Sequence, residues 1–185
     1  MARRVRRLAV IVLILLVAGA VVLVVTTRPT LDDARGEVDH RWTPLRAPLA
    51  ARYEKLAAVN AEFAAAGAGN RDVARALGLN LARWDRLHRA RDDDADAEAE
   101  AQTADQLEGL ATRLQAVVLS SDRLKGVDTL NQAVAAFQGT VPPPAAIKAY
   151  NDATRDYEDE RNGLLRRPVA SLFEYDARPQ LVLSG

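Results

Sequence analysis

Residues 8–25, LAVIVLILLVAGAVVLVV, form an uncharged apolar stretch that follows a cluster of arginines at positions 3, 4, 6 and 7. With a helical rise of about 1.5 Å per residue, this stretch would extend about 27 Å, close to the thickness of the hydrocarbon layer of a bilayer. The sequence therefore predicts a transmembrane helix over residues 8–27, in contact with the lipid bilayer through Leu8 to Val25.

A cleaved signal peptide is the alternative interpretation of this segment, since Ala18-Gly19-Ala20 has the small-residue spacing of a cleavage site. The apolar residues continue to Val25, beyond the length of a typical signal core, and this favours an uncleaved anchor. Four arginines precede the stretch, whereas only Arg28 follows it closely. The positive-inside rule then predicts that residues 1–7 are a cytoplasmic stub and that the rest of the chain lies outside the cell membrane.

The remaining chain is long enough for one domain, predicted over residues 28–167, with a tail at residues 168–185 that packs on it. Aromatic residues make up 5% of the chain and alanine is abundant, a composition that favours helix. Without the five arginines that flank the apolar stretch, 20 basic residues face 25 acidic ones, which leaves a net charge of −5. This acidic balance argues against a nucleic-acid partner. The absence of cysteine excludes disulfides, thiolate catalysis and cysteine metal ligands.

The first helix of the domain is predicted to begin at Leu31, because Pro29 should interrupt the anchor helix and Thr30 to Asp33 resemble a capping box. Pro44 and Pro48 predict a kink or brief break near residues 43–48, and Gly67-Ala68-Gly69 should end the helix. Steps of three and four residues define its apolar face: Leu31, Ala34, Val38, Trp42, Leu45, Leu49, Tyr53, Leu56, Val59 and Phe63.

Three further helical segments follow. The second is predicted from an Asn70 cap to Asp92–Asp94, with Val73, Leu77, Leu81, Trp84 and Leu87 on one face. The third begins near Ala95 and runs to Gly139; it has coiled-coil-like heptad spacing at Leu107, Leu110, Leu114 and Val117, and its pattern slips over residues 120–126. The last runs from about residue 143 to 165 until Pro168 ends it, with Ile147, Tyr150, Thr154, Tyr157 and Leu164 on one face. Four amphipathic segments with short connections predict an all-α fold, an antiparallel four-helix bundle preceded by one transmembrane helix.

The sequence offers little catalytic chemistry. His40 and His88 are far apart, so we expect both at the surface or its boundary rather than in a metal site. Asp92, Asp94 and Asp96 have the first spacings of a calcium loop, but Ala97 replaces the required glycine and Thr103 the bidentate glutamate. The acidic run is therefore interpreted as a solvated loop, and we predict no catalytic residues, no bound metal and no cofactor.

The C-terminal third carries a family resemblance. Its pattern is Ala149-Tyr150-Asn151 with Tyr157, then Pro168 to Phe173, then Arg178-Pro179. It resembles the LemA family, as do the first helix around its tryptophan and the segment Leu124-Lys125-Gly126. The resemblance implies a membrane helix followed by an antiparallel four-helix bundle, and it implies no established activity. The family-motif positions are expected to be structural: Trp42, Tyr150, Asn151, Tyr157, Pro168, Phe173, Arg178 and Pro179. We expect the tyrosine hydroxyls to bond the backbone of the tail, and Phe173 to dock on the bundle.

Two hypotheses about function follow. The anchor, the lack of catalytic groups and the family resemblance favour a non-catalytic interaction or scaffold protein at the outer face of the cell membrane, whose partner is an unidentified membrane or envelope protein. The alternative is a helical bundle that senses a small molecule or ion and acts through a membrane partner, since the cytoplasmic stub is too short to signal. An enzyme is disfavoured.

Overall fold

The computed structural model describes residues 2–89 and 96–184, and these residues are mostly helical, without strands. The predicted loop at Asp92–Asp94 and the predicted helix start at Ala95 lie outside the described residues. A short π-helical turn, Ala64–Ala68, follows the first of the α-helices. The described α-helices are α1 (Ala2–Phe63), α2 (Asp72–His88), α3 (Ala97–Ser120), α4 (Asp122–Lys125), α5 (Asp128–Gly139), α6 (Pro144–Asn162) and α7 (Arg167–Leu172).

Helix α1 is able to cross a membrane by length and composition alone. Its mean hydropathy reaches 2.0 over an 18-residue window, of which only 6% is buried. The following large apolar side chains of its N-terminal part have 54–66% of their surface accessible: Ile11, Leu13, Ile14, Leu15, Val17, Val21, Val22 and Val25. No other helix in the described parts of the chain is long and apolar enough to cross a membrane.

Helix α1 runs without interruption through all three of its prolines, so the predicted break at Pro29 and the predicted helix start at Leu31 are wrong. The predicted capping box is also absent, because the Thr30 hydroxyl donates to the Thr26 carbonyl at 3.5 Å, as within a helix. Pro29 and Pro44 are exposed and Pro48 is half-buried. Each proline deprives the carbonyl four residues earlier of its backbone amide donor, and these carbonyls lie toward the exposed side of the helix, where other donors can replace the amide. The predicted break near residues 43–48 therefore does not form.

The apolar stripe of α1 is confirmed, since every member from Leu31 to Phe63 except the half-buried Ala34 is at most 1% exposed. The turn after it also forms at Gly67, which has a φ of 79°. Only glycine adopts this backbone readily, and a Cβ there would lie 2.7 Å from Nη2 of Arg123. The predicted Asn70 cap is wrong: Arg71 occupies the N-cap position of α2 in extended conformation, without a side-chain hydrogen bond.

The second half of the chain is more divided than predicted. Asp96 caps α3 through a hydrogen bond from the Ala99 amide at 2.9 Å. On α3, Val118 is buried, whereas the predicted Val117 is half-buried. The slip in pattern over residues 120–126 corresponds to a real change in the backbone, because α3 ends there and the short α4 intervenes before α5.

The C-terminal helix ends earlier than predicted, at Asn162, and Pro168 does not terminate it. Pro168 instead lies in the first turn of α7, where a missing amide proton costs little. Leu164 was expected on the buried face with Tyr150 and Tyr157. It is 92% exposed, because it belongs to the turn between α6 and α7.

The described chain forms two compact units. The anchor unit contains the residues up to Glu37 together with Arg155–Ala177, and the core unit contains Val38–Thr154 together with the residues from Arg178 onward. In the anchor unit, Thr27 and Leu31 of α1 are buried, as are Val169 and Ala170 of α7. The core unit holds most of the apolar stripe of α1 and the end of the tail.

Candidate functional site

The end of the tail, residues 178–184, lies in the core unit without regular secondary structure and is held there by side chains of α6. The Tyr150 hydroxyl donates to the Pro179 carbonyl at 2.9 Å. The Asn151 amide makes two bonds to Leu181, donating to its carbonyl at 3.0 Å and accepting from its amide at 2.8 Å. This pair of bonds satisfies both backbone polar groups of Leu181, as a neighbouring β-strand would.

The expected bonds from tyrosine hydroxyls to the tail are therefore present. In the anchor unit, Tyr157 makes the matching contact, with its hydroxyl donating to the Asp176 carbonyl at 2.8 Å. Phe173 is 37% exposed and lies under the Arg28 guanidinium, whose central carbon is 5.0 Å from the ring centroid.

A buried ion pair secures the last described tail residue. Arg52 and Glu108 are 1% and 2% exposed, and they meet in a two-pronged contact of 2.8 Å (Nε to Oε1) and 2.9 Å (Nη2 to Oε2). Ser184 bonds to both partners. Its amide and hydroxyl donate to Oε2 of Glu108 at 2.8 and 2.6 Å, and its carbonyl accepts from Nη2 of Arg52 at 2.7 Å.

The other donors of Arg52 are also satisfied. Nη1 donates to the carbonyls of Phe137 at 3.2 Å and Thr140 at 2.9 Å. The guanidinium carbon lies 4.0 Å from the centroid of the Phe137 ring, within reach of a cation–π interaction. A buried charge is tolerated only when it is paired and fully hydrogen-bonded, and Arg52 meets both conditions.

A second buried carboxylate, Glu100, lies nearer the start of α3 and is 0% exposed. Its Oε2 accepts from the Trp42 indole at 2.7 Å, and both of its oxygens accept from Arg46 at 3.0–3.1 Å. Arg46 also donates to the His88 carbonyl at 3.3 Å. The Trp42 ring contacts the Tyr150 ring at a centroid distance of 5.0 Å, which joins two family-motif positions in one cluster.

Arg178, at the start of this tail segment, is 5% exposed and pairs with Asp39 at 3.0 Å and with Glu98 at 3.5 Å. Burial also dominates the ionisation of the nearby tyrosines. It raises the pKa of Tyr150 to about 12, and it raises the pKa of Tyr53, beside the negative charge of Glu108, well above the ordinary value. Both phenols are therefore neutral hydrogen-bond donors at physiological pH, and Tyr53 donates to the Ala104 carbonyl at 3.3 Å.

A surface cleft of about 470 Å³ opens beside Glu100. Its lining is mixed in polarity: Asp39, His40, Trp42, Thr43, Arg46, Ala97 and Glu100. His40 is exposed and His88 half-buried, as predicted. Within the described ranges, no three histidine or carboxylate side chains are grouped so that they could hold a metal ion.

Among the family-motif positions, the core unit contains Trp42, Tyr150, Asn151, Arg178 and Pro179, and the anchor unit contains Tyr157, Pro168 and Phe173. Four residues of these contacts were not predicted from the sequence: Arg52, Glu100, Glu108 and Ser184. A signal for Arg52 was present, since it lies three residues after Leu49 and four before Leu56, on the apolar face of α1. A charged residue at core spacing indicates a buried partner.

Comparison of the chain with protein-family models, with curated proteins and with solved structures finds no match.

Proposed function

We propose that this chain is a membrane-anchored helical-bundle protein of the LemA type, a non-catalytic interaction or scaffold protein at the outer face of the cell membrane. In this proposal α1 crosses the bilayer through Leu8 to Val25, residues 1–7 are cytoplasmic, and the core unit binds an unidentified membrane or envelope protein. The observation that carries the proposal is the exposure of the apolar end of α1. A window of mean hydropathy 2.0 of which only 6% is buried needs an apolar environment that the described parts of the chain do not supply.

Contact directions within the core unit support an antiparallel bundle. Residue 46 of α1 bonds to residue 100 of α3, and residue 52 bonds to residue 108. Residue numbers therefore increase in the same direction along both helices, so α1 and α3 run parallel. Against α2, the order reverses: Tyr53 packs on Trp84 at 4.8 Å, whereas Arg46 reaches His88. First and third helices that are parallel, with an antiparallel second helix between them, match an alternating four-helix bundle.

The saturation of the buried carboxylates supports a non-catalytic role. Glu100 and Glu108 each face an arginine at hydrogen-bond distance, and each accepts further hydrogen bonds, from the Trp42 indole and from Ser184 respectively. A general acid or base needs a lone pair or proton directed at a substrate. These carboxylates instead fix helices and tail in place, as expected of a binding scaffold.

Placement of the core unit outside the cell can be tested by labelling. The chain has no cysteine, so Leu79→Cys on α2, where the native side chain is 73% exposed, introduces a single reactive thiol. A membrane-impermeant maleimide should label it in intact spheroplasts as fully as in lysed ones. Labelling that requires lysis would contradict the outer location. Crosslinking from the same position in native membranes should then capture one recurrent envelope protein, and recovery of none with several crosslinkers would count against the scaffold role.

The cleft beside Glu100 favours one alternative, a sensor of small molecules or ions. Its volume of about 470 Å³ suits a small metabolite, and its charged lining suits a polar one. A thermal-shift screen with metabolites and divalent cations tests this role, because a ligand of the folded state raises its melting temperature. His40→Ala should abolish the shift and Leu79→Ala should preserve it, whereas a library without any stabilising compound leaves the scaffold role as the better account.

A further inference from the structure

Four large apolar side chains of the anchor unit are exposed within ten residues of sequence. Leu164, Leu165, Leu172 and Phe173 are 92%, 67%, 69% and 37% exposed. The first two lie in the turn before α7 and the last two at its end. Single exposed leucines are ordinary, but a concentration of this kind indicates a surface that meets another apolar phase.

The contacts of this segment fix its level along α1. The Phe173 ring lies under the Arg28 guanidinium at 5.0 Å, and the Tyr175 hydroxyl donates to the Asp32 carboxylate. Arg28 is three residues beyond Val25 and Asp32 is seven beyond it. At about 1.5 Å per residue, these levels are about 4.5 Å and about 10 Å past the end of the apolar stretch. The chain therefore approaches that stretch as it runs back from Tyr175 to Phe173.

The polar headgroup layer of a bilayer is about 5–8 Å thick on each side of the hydrocarbon core. Phe173 is at the level of Arg28 and so falls within this layer when α1 crosses the membrane. Arg28 has 57% of its side chain exposed, and Arg167 at the start of α7 is also exposed. Arginines beside exposed leucines suit an interface at which aliphatic groups meet acyl chains and guanidinium groups meet lipid phosphates.

We propose that residues 164–173 are a second membrane contact, which lies in the headgroup layer of the leaflet from which α1 emerges. Leu164, Leu165 and Leu172 enter the boundary between headgroups and acyl chains, while Arg28 and Arg167 bind lipid phosphates. This inference rests on the proposed crossing of the bilayer by α1. It assigns to the turn before α7 and to α7 itself a role in lipid binding, in addition to their packing.

Single-cysteine labelling of the full chain tests this contact. Variants Leu165→Cys and Leu172→Cys probe the segment, Leu15→Cys probes the apolar stretch, and Leu79→Cys is a control of similar exposure on α2. Each is labelled with an environment-sensitive fluorophore and reconstituted in vesicles of phosphatidylcholine and phosphatidylglycerol. Nitroxide lipids carry the quencher either near the headgroup or deep in the acyl chain.

We expect the headgroup-proximal nitroxide to quench the fluorophores at positions 165 and 172 several-fold more strongly than the fluorophore at position 79. The fluorophore at position 15 should be quenched most by the deep nitroxide. If the label at position 15 is quenched but the labels at positions 165 and 172 behave like the label at position 79, the second contact is overturned and the anchor is left intact. No quenching at 15 would overturn both. Leu172→Asp should weaken quenching of the label at 165, whereas Leu79→Asp should not.

Discussion

Replacing Glu108 with glutamine removes one charge from the buried ion pair of the core unit and hardly changes the size of the side chain. Glu108 accepts four hydrogen bonds, two from Arg52 and two from Ser184. In the variant, the Arg52 guanidinium remains buried and keeps its carbonyl acceptors, but it loses its counter-charge. The glutamine amide would also direct two hydrogens at groups that are themselves donors.

Removing one partner of a buried ion pair costs about 3–5 kcal/mol, because the remaining charge stays in a medium of low polarity. At 1% exposure, Arg52 cannot recover this loss from water without local opening of the structure. A domain of this kind has a free energy of unfolding of about 5–15 kcal/mol, so we expect Glu108→Gln to remove a large part of it. Denaturation by urea in nanodiscs reports this directly through tryptophan fluorescence, since Trp42 and Trp84 both belong to the core unit.

Glu54→Gln is the matched control, because it makes the same chemical change on a side chain that is 77% exposed. We expect no measurable loss of stability there, as for most surface ion pairs. The double variant Arg52→Met with Glu108→Leu should recover much of the loss, since it leaves no unpaired charge. If the free energy of unfolding of Glu108→Gln lies within about 1 kcal/mol of that of the unmodified chain, the range of an exposed pair, the buried ion pair does not have the role assigned to it.

Three further changes test other contacts of the core unit. Asn151→Ala removes both hydrogen bonds to the Leu181 backbone, so stability should fall by about 1–3 kcal/mol and amide exchange of the tail should accelerate in mass spectrometry. Burial holds the pKa of Tyr150 at about 12, so the phenol stays protonated in the folded chain while it ionises near pH 10 in the unfolded one. Its contribution is therefore complete below pH 10 and lost as the pH rises to about 12, by up to about 3 kcal/mol. Because the raised pKa of Tyr53 causes an alkaline decline of its own, denaturation curves recorded at each pH should show a smaller decline for Tyr150→Phe than for the unmodified chain. Gly67→Ala should cost about 1–2 kcal/mol in the same assay, because the φ of 79° is strained for alanine.

The predictions that succeeded were those that depend on one local rule. The stripe of α1 follows from helical periodicity, and each buried member contacts the core because of its position on one face. The tail contacts of Tyr150 and Tyr157 follow from the need of a buried hydroxyl for a partner. Such arguments need only the neighbours in sequence, which the sequence provides.

The failures arose where tertiary position overrode a local preference. Pro29 should end a helix, but its exposed position on α1 allows the helix to continue. Pro168 can end one helix or start another, and sequence alone does not decide between them. The partner of Arg52 is on a different helix, 56 residues away, and Ser184 is 132 residues away. No periodicity links such distant positions.

The two buried carboxylates of α3 also explain why the helices of the core unit adopt one register. Glu100 needs the donors of Trp42 and Arg46, and Glu108 needs those of Arg52. The positions of the two carboxylates along α3 must therefore match the positions of these donors along α1. An apolar stripe alone permits a shift by one turn, since leucine can replace leucine in a core of similar volume. The same shift here would leave both carboxylates and Arg52 buried without partners, at a cost of several kcal/mol for each charge. Ser184 adds a third requirement, because its backbone and hydroxyl fit only where the two charges already meet. The polar contacts that contribute least to apolar burial are therefore the ones that select a single arrangement of helices and tail.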